Sequence, residues 1–303
     1  MIAARFAFAK AVAREAGALA MSHYARRGEL AIESKGLQDV VTVADRAVET
    51  MLIERIAAAF PGDPVLGEEG GFSANYAGGA HAGRPLWVID PIDGTANFAR
   101  GLPLWCISIG VMHDGDAAAG VIYNAVTDEL HAGSVDAPAT CNGRPIRVSA
   151  VDDPRHARVS LGFSYRRSPA IHVEAIRRLL DAGCEYSRLG SGALGMAYVA
   201  DGRFEGYYEP HINAWDVAAG IAILRAAGGC TNAFFADDGL ARGNAILAAA
   251  PGKYRPPTTG SARDHSKHNL GGQLQHMVPG KMHVPIVDRL EVVEIEQHDR
   301  KFV

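Results

Sequence analysis

The chain has 303 residues, 48% of them hydrophobic and 21% charged, with 30 basic against 34 acidic side chains and a net charge of −4. That hydrophobic content excludes disorder over most of the length, and the absent basic excess excludes a dedicated nucleic-acid binder. No apolar run reaches the roughly eighteen residues a membrane helix needs, so no membrane partner is expected.

Helical periodicity covers residues 2–26, where Arg5, Lys10, Arg14 and Glu15 interrupt the apolar residues at helical spacing. The segment reads as an amphipathic helix and not as a signal peptide. A short strand, Leu30–Ser34, follows, and then a second helix over Val41–Phe60 with Ala44, Val48, Met51, Leu52 and Ile56 on one stripe. PGDP at 61–64 stops it. Residues 70–85, rich in Gly, Ala and Ser, read as a mobile loop. Leu86–Ile89 is strand-like, and Trp105–His113, Ala117–Tyr123 and Glu129–Ala132 form a candidate meander. A boundary is placed at 151–156. Beyond it, strands at 157–161, 184–188, 204–208 and 245–249 alternate with helices at 168–182, 191–201 and 214–227. The expected organisation is therefore an α+β half over 1–150, an α/β half over 151–255, and an atypical, largely mobile tail over 256–303. The tail carries five of the twelve histidines, including the pair His265 and His268, and only Val284–Glu296 alternates like a strand.

The four cysteines, Cys106, Cys141, Cys184 and Cys230, are widely separated. They read as reduced thiols of a cytoplasmic protein, so any metal here should be a hard cation held by oxygen. The candidate oxygens are in WVIDPIDGTANF, residues 87–98. Asp90 and Asp93 crowd together at a strand end. Pro91 stiffens the turn between them, Gly94 permits close backbone approach, and Thr95 offers a hydroxyl. Two such carboxylates are tolerable with a cation between them or in a solvated turn. Glu68 and Glu69, in GEEGG, read equally as ligands or as a solvated acidic loop. Asp216, in EPHINAWDVAAG, stands where an acidic residue ordinarily caps a helix, with Glu209 and His211 just before it. In KGLQDVVTVAD, residues 35–45, Thr42 and Asp45 fit a helix cap as well as a chemical role, and Lys35 can lie over a phosphate.

Taken together, DPIDGT, GEE, KG…DVVT..AD and WDVAAG resemble, in order and spacing, the inositol monophosphatase superfamily of lithium-sensitive, magnesium-dependent phosphomonoesterases. The resemblance covers roughly residues 5–250. It implies a layered α-β-α-β-α sandwich of the sugar phosphatase type, a homodimer, and two or three Mg²⁺ ions. Glu68, Asp90 and the carbonyl of Ile92 match ligands of a first metal, and Asp90, Asp93 and Asp216 those of a second. Glu68 and Thr95 match the residues around the attacking water, and Asp45 the partner of the threonine hydroxyl. Gly94 and Thr95 match the phosphate-binding turn, Ser191 and Gly192 the contacts to the substrate ring, Glu209 a carboxylate on substrate hydroxyls, and Lys35 a lysine near the metals.

The implied activity is Mg²⁺-dependent hydrolysis of a small phosphomonoester by a metal-activated water, inositol 1-monophosphate first. The substrate is thus a small phosphorylated polyol or amino alcohol. One alternative is a histidinol-phosphate phosphatase, because a carboxylate at 209 also suits an ammonium group. An alternative of another class is a regulatory protein that binds the transcription machinery. No basic cluster for a second phosphate is visible in the linear sequence.

Overall fold

A computed structural model describes residues 1–29, 32–36, 39–73 and 83–250. Helix α1, Ile2–Tyr24, is followed by strands β1, Ile32–Gly36, and β2, Asp39–Thr42, which pair with each other, and by helix α2, Val43–Ala59. Then come β3, Val65–Gly67; β4, Gly71–Phe72; β5, Leu86–Asp93; the short helix α3, Thr95–Arg100; β6, Cys106–His113; β7, Asp116–Asn124; β8, Glu129–Ser134; β9, Ala137–Cys141; and β10, Arg144–Pro145. These eight strands form one sheet in the order β10-β9-β8-β7-β6-β5-β3-β4. The remaining elements are β11, Arg158–Leu161; α4, Pro169–Asp181; β12, Glu185–Ser187; α5, Gly192–Ala200; β13, Gly206–Ile212; α6, Ala214–Ala226; β14, Cys230–Thr231; α7, Gly239–Arg242; and β15, Asn244–Ala249. The second sheet runs β12-β11-β13-β15-β14.

The layers follow from which faces are apolar. Helices α1 and α2 cover one face of the large sheet, burying Val12, Ala16, Val48, Leu52 and Ile56 against Trp87, Ile89, Ile107 and Val121. Helices α5 and α6 are apolar nearly all round, as a helix buried on both sides must be, and lie between the two sheets. Helix α4 covers the outer face of the small sheet with Ala175 and Leu179. The result is the expected α-β-α-β-α sandwich. The expected meander is β6-β7-β8, antiparallel throughout.

A row of glycines seats α6. Gly110, Gly120 and Gly133 are register neighbours on β6, β7 and β8. A Cβ on Gly120 would lie 2.1 Å from the carbonyl oxygen of Ala219, and one on Gly110 2.9 Å from the methyl of Ala218. Only strands without side chains there let the helix backbone rest on the sheet. This close packing carries the N-terminus of α6 toward the end of β5.

Several boundaries differ from the sequence reading. Strand β5 continues through Pro91 to Asp93, with its pairing to β6 slipping between Asp90 and Asp93; proline is tolerated at such an irregularity. Strand β13 continues past Pro210 to Ile212 with a similar slip. The two- and three-residue strands β3, β4, β10 and β14 carry too few residues for a readable period, and the five-residue β9 was not expected. Leu30, most of the loop at 70–85 and the whole tail beyond residue 250, with His265, His268 and Val284–Glu296, lie outside the described residues. Among the described residues no helix is long and apolar enough to cross a membrane.

Candidate active site

Three chain segments converge at the end of β5. Asp90 and Asp93 come from the slipped end of that strand, and Asp216 from the first turn of α6. One carboxylate oxygen from each lies within 4.8 Å of the others. Glu68 follows β3, the parallel neighbour of β5, and is half-buried beside them. Asp90 and Asp93 are almost completely buried, and neither they nor Asp216 has an ion-pair partner among the described residues. Burial raises the Asp90 carboxyl well above its ordinary range, and repulsion from Glu68, Asp93 and Asp216 raises it further. Asp216 is raised by burial and then by Asp93 and Glu68. Asp93 is raised by burial, against hydrogen bonds that favour its charge. Three aspartates crowded in a low-dielectric pocket, with no ion-pair partner among the described residues, fit a hard divalent cation.

Each carboxylate is aimed by its own local structure. Asp45 and Asp216 are the third residues of their helices, and each accepts a hydrogen bond from the backbone at the helix cap: Thr42 N at 2.8 Å and Asn213 N at 3.0 Å. The capping roles read from the sequence therefore coexist with placement in the site, because a carboxylate has two oxygens. The second oxygen of Asp45 lies 2.9 Å from the Thr95 hydroxyl, which is also 3.0 Å from the Ile92 carbonyl. Burial raises the Asp45 carboxyl, partly opposed by the Thr42 and Thr95 hydrogen bonds. Asp93 accepts from the Ser191 hydroxyl at 2.5 Å, Ala193 N at 2.7 Å and Gly192 N at 3.2 Å. Ser191 and Gly192 line the cavity, yet these polar groups point at Asp93. Gly94 caps α3 with φ 97°, and a Cβ there would lie 2.8 Å from the Leu104 carbonyl oxygen, so the turn requires glycine. Lys35 has its backbone in β1, and its side chain lies outside the described residues.

The acidic cluster opens into a cavity of about 790 Å³ lined by Glu68, Asp93, Ser191, Glu209, Trp215 and Asp216, among others. Glu209 accepts a hydrogen bond from the Tyr207 hydroxyl at 2.5 Å. Burial pushes its carboxyl up to about 7, with the Asp93 charge raising it and the Tyr207 bond and Arg188 opposing. His211, on the same strand, is pushed down to about 4 by burial and by Arg166 and Arg167.

Three contributors were not apparent from the sequence. Glu49, buried in the middle of α2, accepts the backbone N–H groups of Glu69 at 2.9 Å and Gly70 at 2.7 Å, and so holds the loop that presents Glu68. Its signal was positional: Glu49 lies four residues after Asp45, on the same helix face. Arg166 and Arg188 line the cavity from loops far apart in sequence, so no linear basic cluster announces them.

Comparison with known proteins agrees with this geometry. Residues 3–267 match the Inositol monophosphatase family. The chain is 36% identical to "Nus factor SuhB" of Xylella fastidiosa over 219 residues, 72% of this chain and 77% of that one. It is 34% identical to "Inositol-1-monophosphatase" of Rhizobium meliloti, over 76% of this chain and 82% of that one. The solved structure of inositol monophosphatase from Anabaena superposes with a TM-score of 0.69 at 34% identity, covering 82% of this chain and 91% of that one. With the family matched over most of its length and the layered fold shared, this chain belongs to the inositol monophosphatase family.

Proposed function

We propose that the protein hydrolyses a small phosphomonoester, a polyol phosphate of the inositol 1-monophosphate type, with Mg²⁺ at the acidic cluster. The observation that carries this reading is the convergence of Asp90, Asp93 and Asp216 within 4.8 Å, the first two buried and none of the three with an ion-pair partner among the described residues, at a cavity that Glu68 and Glu209 also line. Those three aspartates, Glu68 and the Ile92 carbonyl are the groups that would hold two or three Mg²⁺ ions, which supply charge neutralisation at the phosphate and a lowered pKa for coordinated water.

The chain's own groups then have distinct tasks. Asp45 accepts the Thr95 hydrogen, leaving the hydroxyl oxygen able to accept a hydrogen bond from a water. Glu68 accepts the proton which that water loses on attack. The Gly94–Thr95 turn offers backbone N–H groups to the phosphate, in line with the general affinity of such turns for anions. Glu209, its orientation fixed by Tyr207, accepts hydrogen bonds from substrate hydroxyls. Holding phosphate, water and leaving oxygen in line supplies most of the acceleration for a loose transition state.

Two further readings are separable. An amino-alcohol phosphate such as histidinol phosphate would bring an ammonium group into a cavity rimmed by Arg166 and Arg188, and like charges there disfavour it. Similarity to proteins named Nus factor supports a second role in the transcription machinery, which co-purification with RNA polymerase tests. The test of the main reading is phosphate release with Mg²⁺ from inositol 1-phosphate and histidinol phosphate side by side. Faster release from the inositol ester supports it. Exclusive turnover of histidinol phosphate replaces it.

A further inference from the structure

A second cluster of titratable groups lies outside the acidic cavity, where the large sheet meets the end of α5. His131 stands on β8, and Cys141 is directly opposite it on β9. Residues paired in this way across an antiparallel ladder present their side chains on the same face, with Cβ atoms about 4.5–5.5 Å apart. Asp201 follows the last residue of α5 and caps it. Its Oδ2 lies 2.8 Å from Nε2 of His131, whose side chain is fully buried. The carboxylate is steadied by Arg203, which reaches the same Oδ2 with Nε at 3.1 Å and Oδ1 with its backbone N–H at 3.2 Å. Arg203 is itself fixed by Glu129 and by the ring of Tyr198, with the guanidinium carbon 4.5 Å from the ring centroid.

These contacts set the tautomer of His131. A carboxylate only accepts, so Nε2 is the donor to Asp201 and Nδ1 is the nitrogen left over. Nδ1 is buried and has no hydrogen-bond partner among the described residues. Burial lowers the His131 pKa, but Asp201 and Cys141 outweigh it and push the ring up to about 9. The ring is therefore a strong proton acceptor with a thiol beside it. A histidine that only ties β8 to α5 accounts for the Asp201 bond and leaves the buried Nδ1 unexplained. Cys141 is half-buried, and residues 142–145, which follow it, are exposed, so the sulfur sits beside an exposed turn. Cys106 and Cys184, by contrast, are buried, and the half-buried Cys230 turns its Sγ on the Ala249 carbonyl at 3.6 Å.

We infer that Cys141, backed by His131 and Asp201, is a thiol-exchange site that captures a low-molecular-weight disulfide as a mixed disulfide. In this step the Cys141 sulfur gives its proton to Nδ1 of His131 and attacks one sulfur of the incoming disulfide. The new S–S bond forms as the old one breaks, and the departing half leaves as a thiolate that takes up a proton. The incoming disulfide is the oxidant, one of its halves ends as free thiol, and a second thiol reverses the step. Asp201 orients the ring and balances the charge it gains.

The test incubates the full chain with oxidised glutathione and follows each of the four cysteines by peptide mass spectrometry. Cys141 is expected to form its mixed disulfide first, at least roughly tenfold faster than Cys230, a modest share of what a positioned base contributes. Dithiothreitol should restore the parent mass. His131→Gln and Asp201→Asn should each bring the Cys141 rate close to that of Cys230. Both changes also disturb a buried hydrogen bond, so the readout is the ratio of the two rates, taken with a thermal melt. Loosening of the fold speeds every cysteine, whereas loss of the base slows Cys141 alone. A Cys141 no faster than Cys230 in the parent protein overturns the inference. So does a His131→Gln or Asp201→Asn protein that melts like the parent and keeps the parent ratio.

Discussion

Replacing Glu49 by alanine tests whether the loop bearing Glu68 is held in place by a buried carboxylate that never touches substrate. In the folded protein Glu49 accepts two backbone hydrogen bonds, from Glu69 and Gly70, at 2.9 and 2.7 Å. Hydrogen bonds to a charged group contribute about 1.5–3 kcal/mol each, so deletion should cost about 3 kcal/mol or more. The gain in helix propensity on going to alanine offsets only a few tenths of that. For a protein of this size roughly 1 kcal/mol corresponds to about 2–4 °C in Tm, and a fall of about 6–12 °C is expected. Where the freed N–H groups instead turn toward water, the stability loss shrinks but Glu68 moves with the loop, and more Mg²⁺ is needed for half-maximal activity. Glu49→Gln, which keeps one acceptor oxygen, should fall between the two. Thermal melts combined with a Mg²⁺ titration of phosphate release read both effects. An alanine variant with the parent's Tm and the parent's Mg²⁺ requirement would show that Glu49 does not hold the Glu68 loop.

Other outcomes follow from the same geometry. Asp93→Asn should lower kcat by about a thousandfold, the scale of lost metal-assisted charge stabilisation, with a far-ultraviolet circular dichroism spectrum like the parent's. Glu209→Gln should slow inositol 1-phosphate much more than β-glycerophosphate; equal losses would remove Glu209 from substrate recognition. Because the Glu209 carboxyl is pushed up to about 7, its charged, accepting form is lost as pH falls through that value. The preference for inositol 1-phosphate over β-glycerophosphate should therefore decline below about pH 7 in the parent and stay flat in the glutamine variant, as a pH series of kcat/KM would show. Gly120→Ala drives a methyl against the Ala219 carbonyl at 2.1 Å and should cost about 3 kcal/mol or prevent folding. Gly28→Ala, with nothing within 4 Å, should leave the melting temperature within about 1 °C.

The parts of this molecule legible in the sequence were those written in local order. Helix α2 was readable because its apolar residues recur at helical spacing from a Thr42 cap, and α6 because Asp216 opens it. The acidic cluster was readable because DPIDGT is contiguous. What stayed hidden was set by tertiary contact. Glu49 looked like one more charged residue on a helix until its N–H partners arrived from twenty residues away. Arg166 and Arg188 become neighbours of one cavity only because β11 and β12 run parallel. The extensions of β5 and β13 were masked by Pro91 and Pro210, which interrupt the ladder without ending the strand. Ser191 and Gly192 were expected against the substrate, and the structure shows their hydroxyl and amide groups turned on Asp93.

In the function proposed above, Asp90, Asp93 and Asp216 hold a divalent cation for the hydrolysis of a phosphomonoester. The most direct measurement is phosphate release from inositol 1-phosphate by the full chain in Mg²⁺, in excess chelator, and after Mg²⁺ is restored, with Asp90→Asn run in parallel. Release that is abolished by chelator, recovered with Mg²⁺ and absent in Asp90→Asn is the predicted result. Full release in the chelator, or an Asp90→Asn protein as active as the parent, would contradict it.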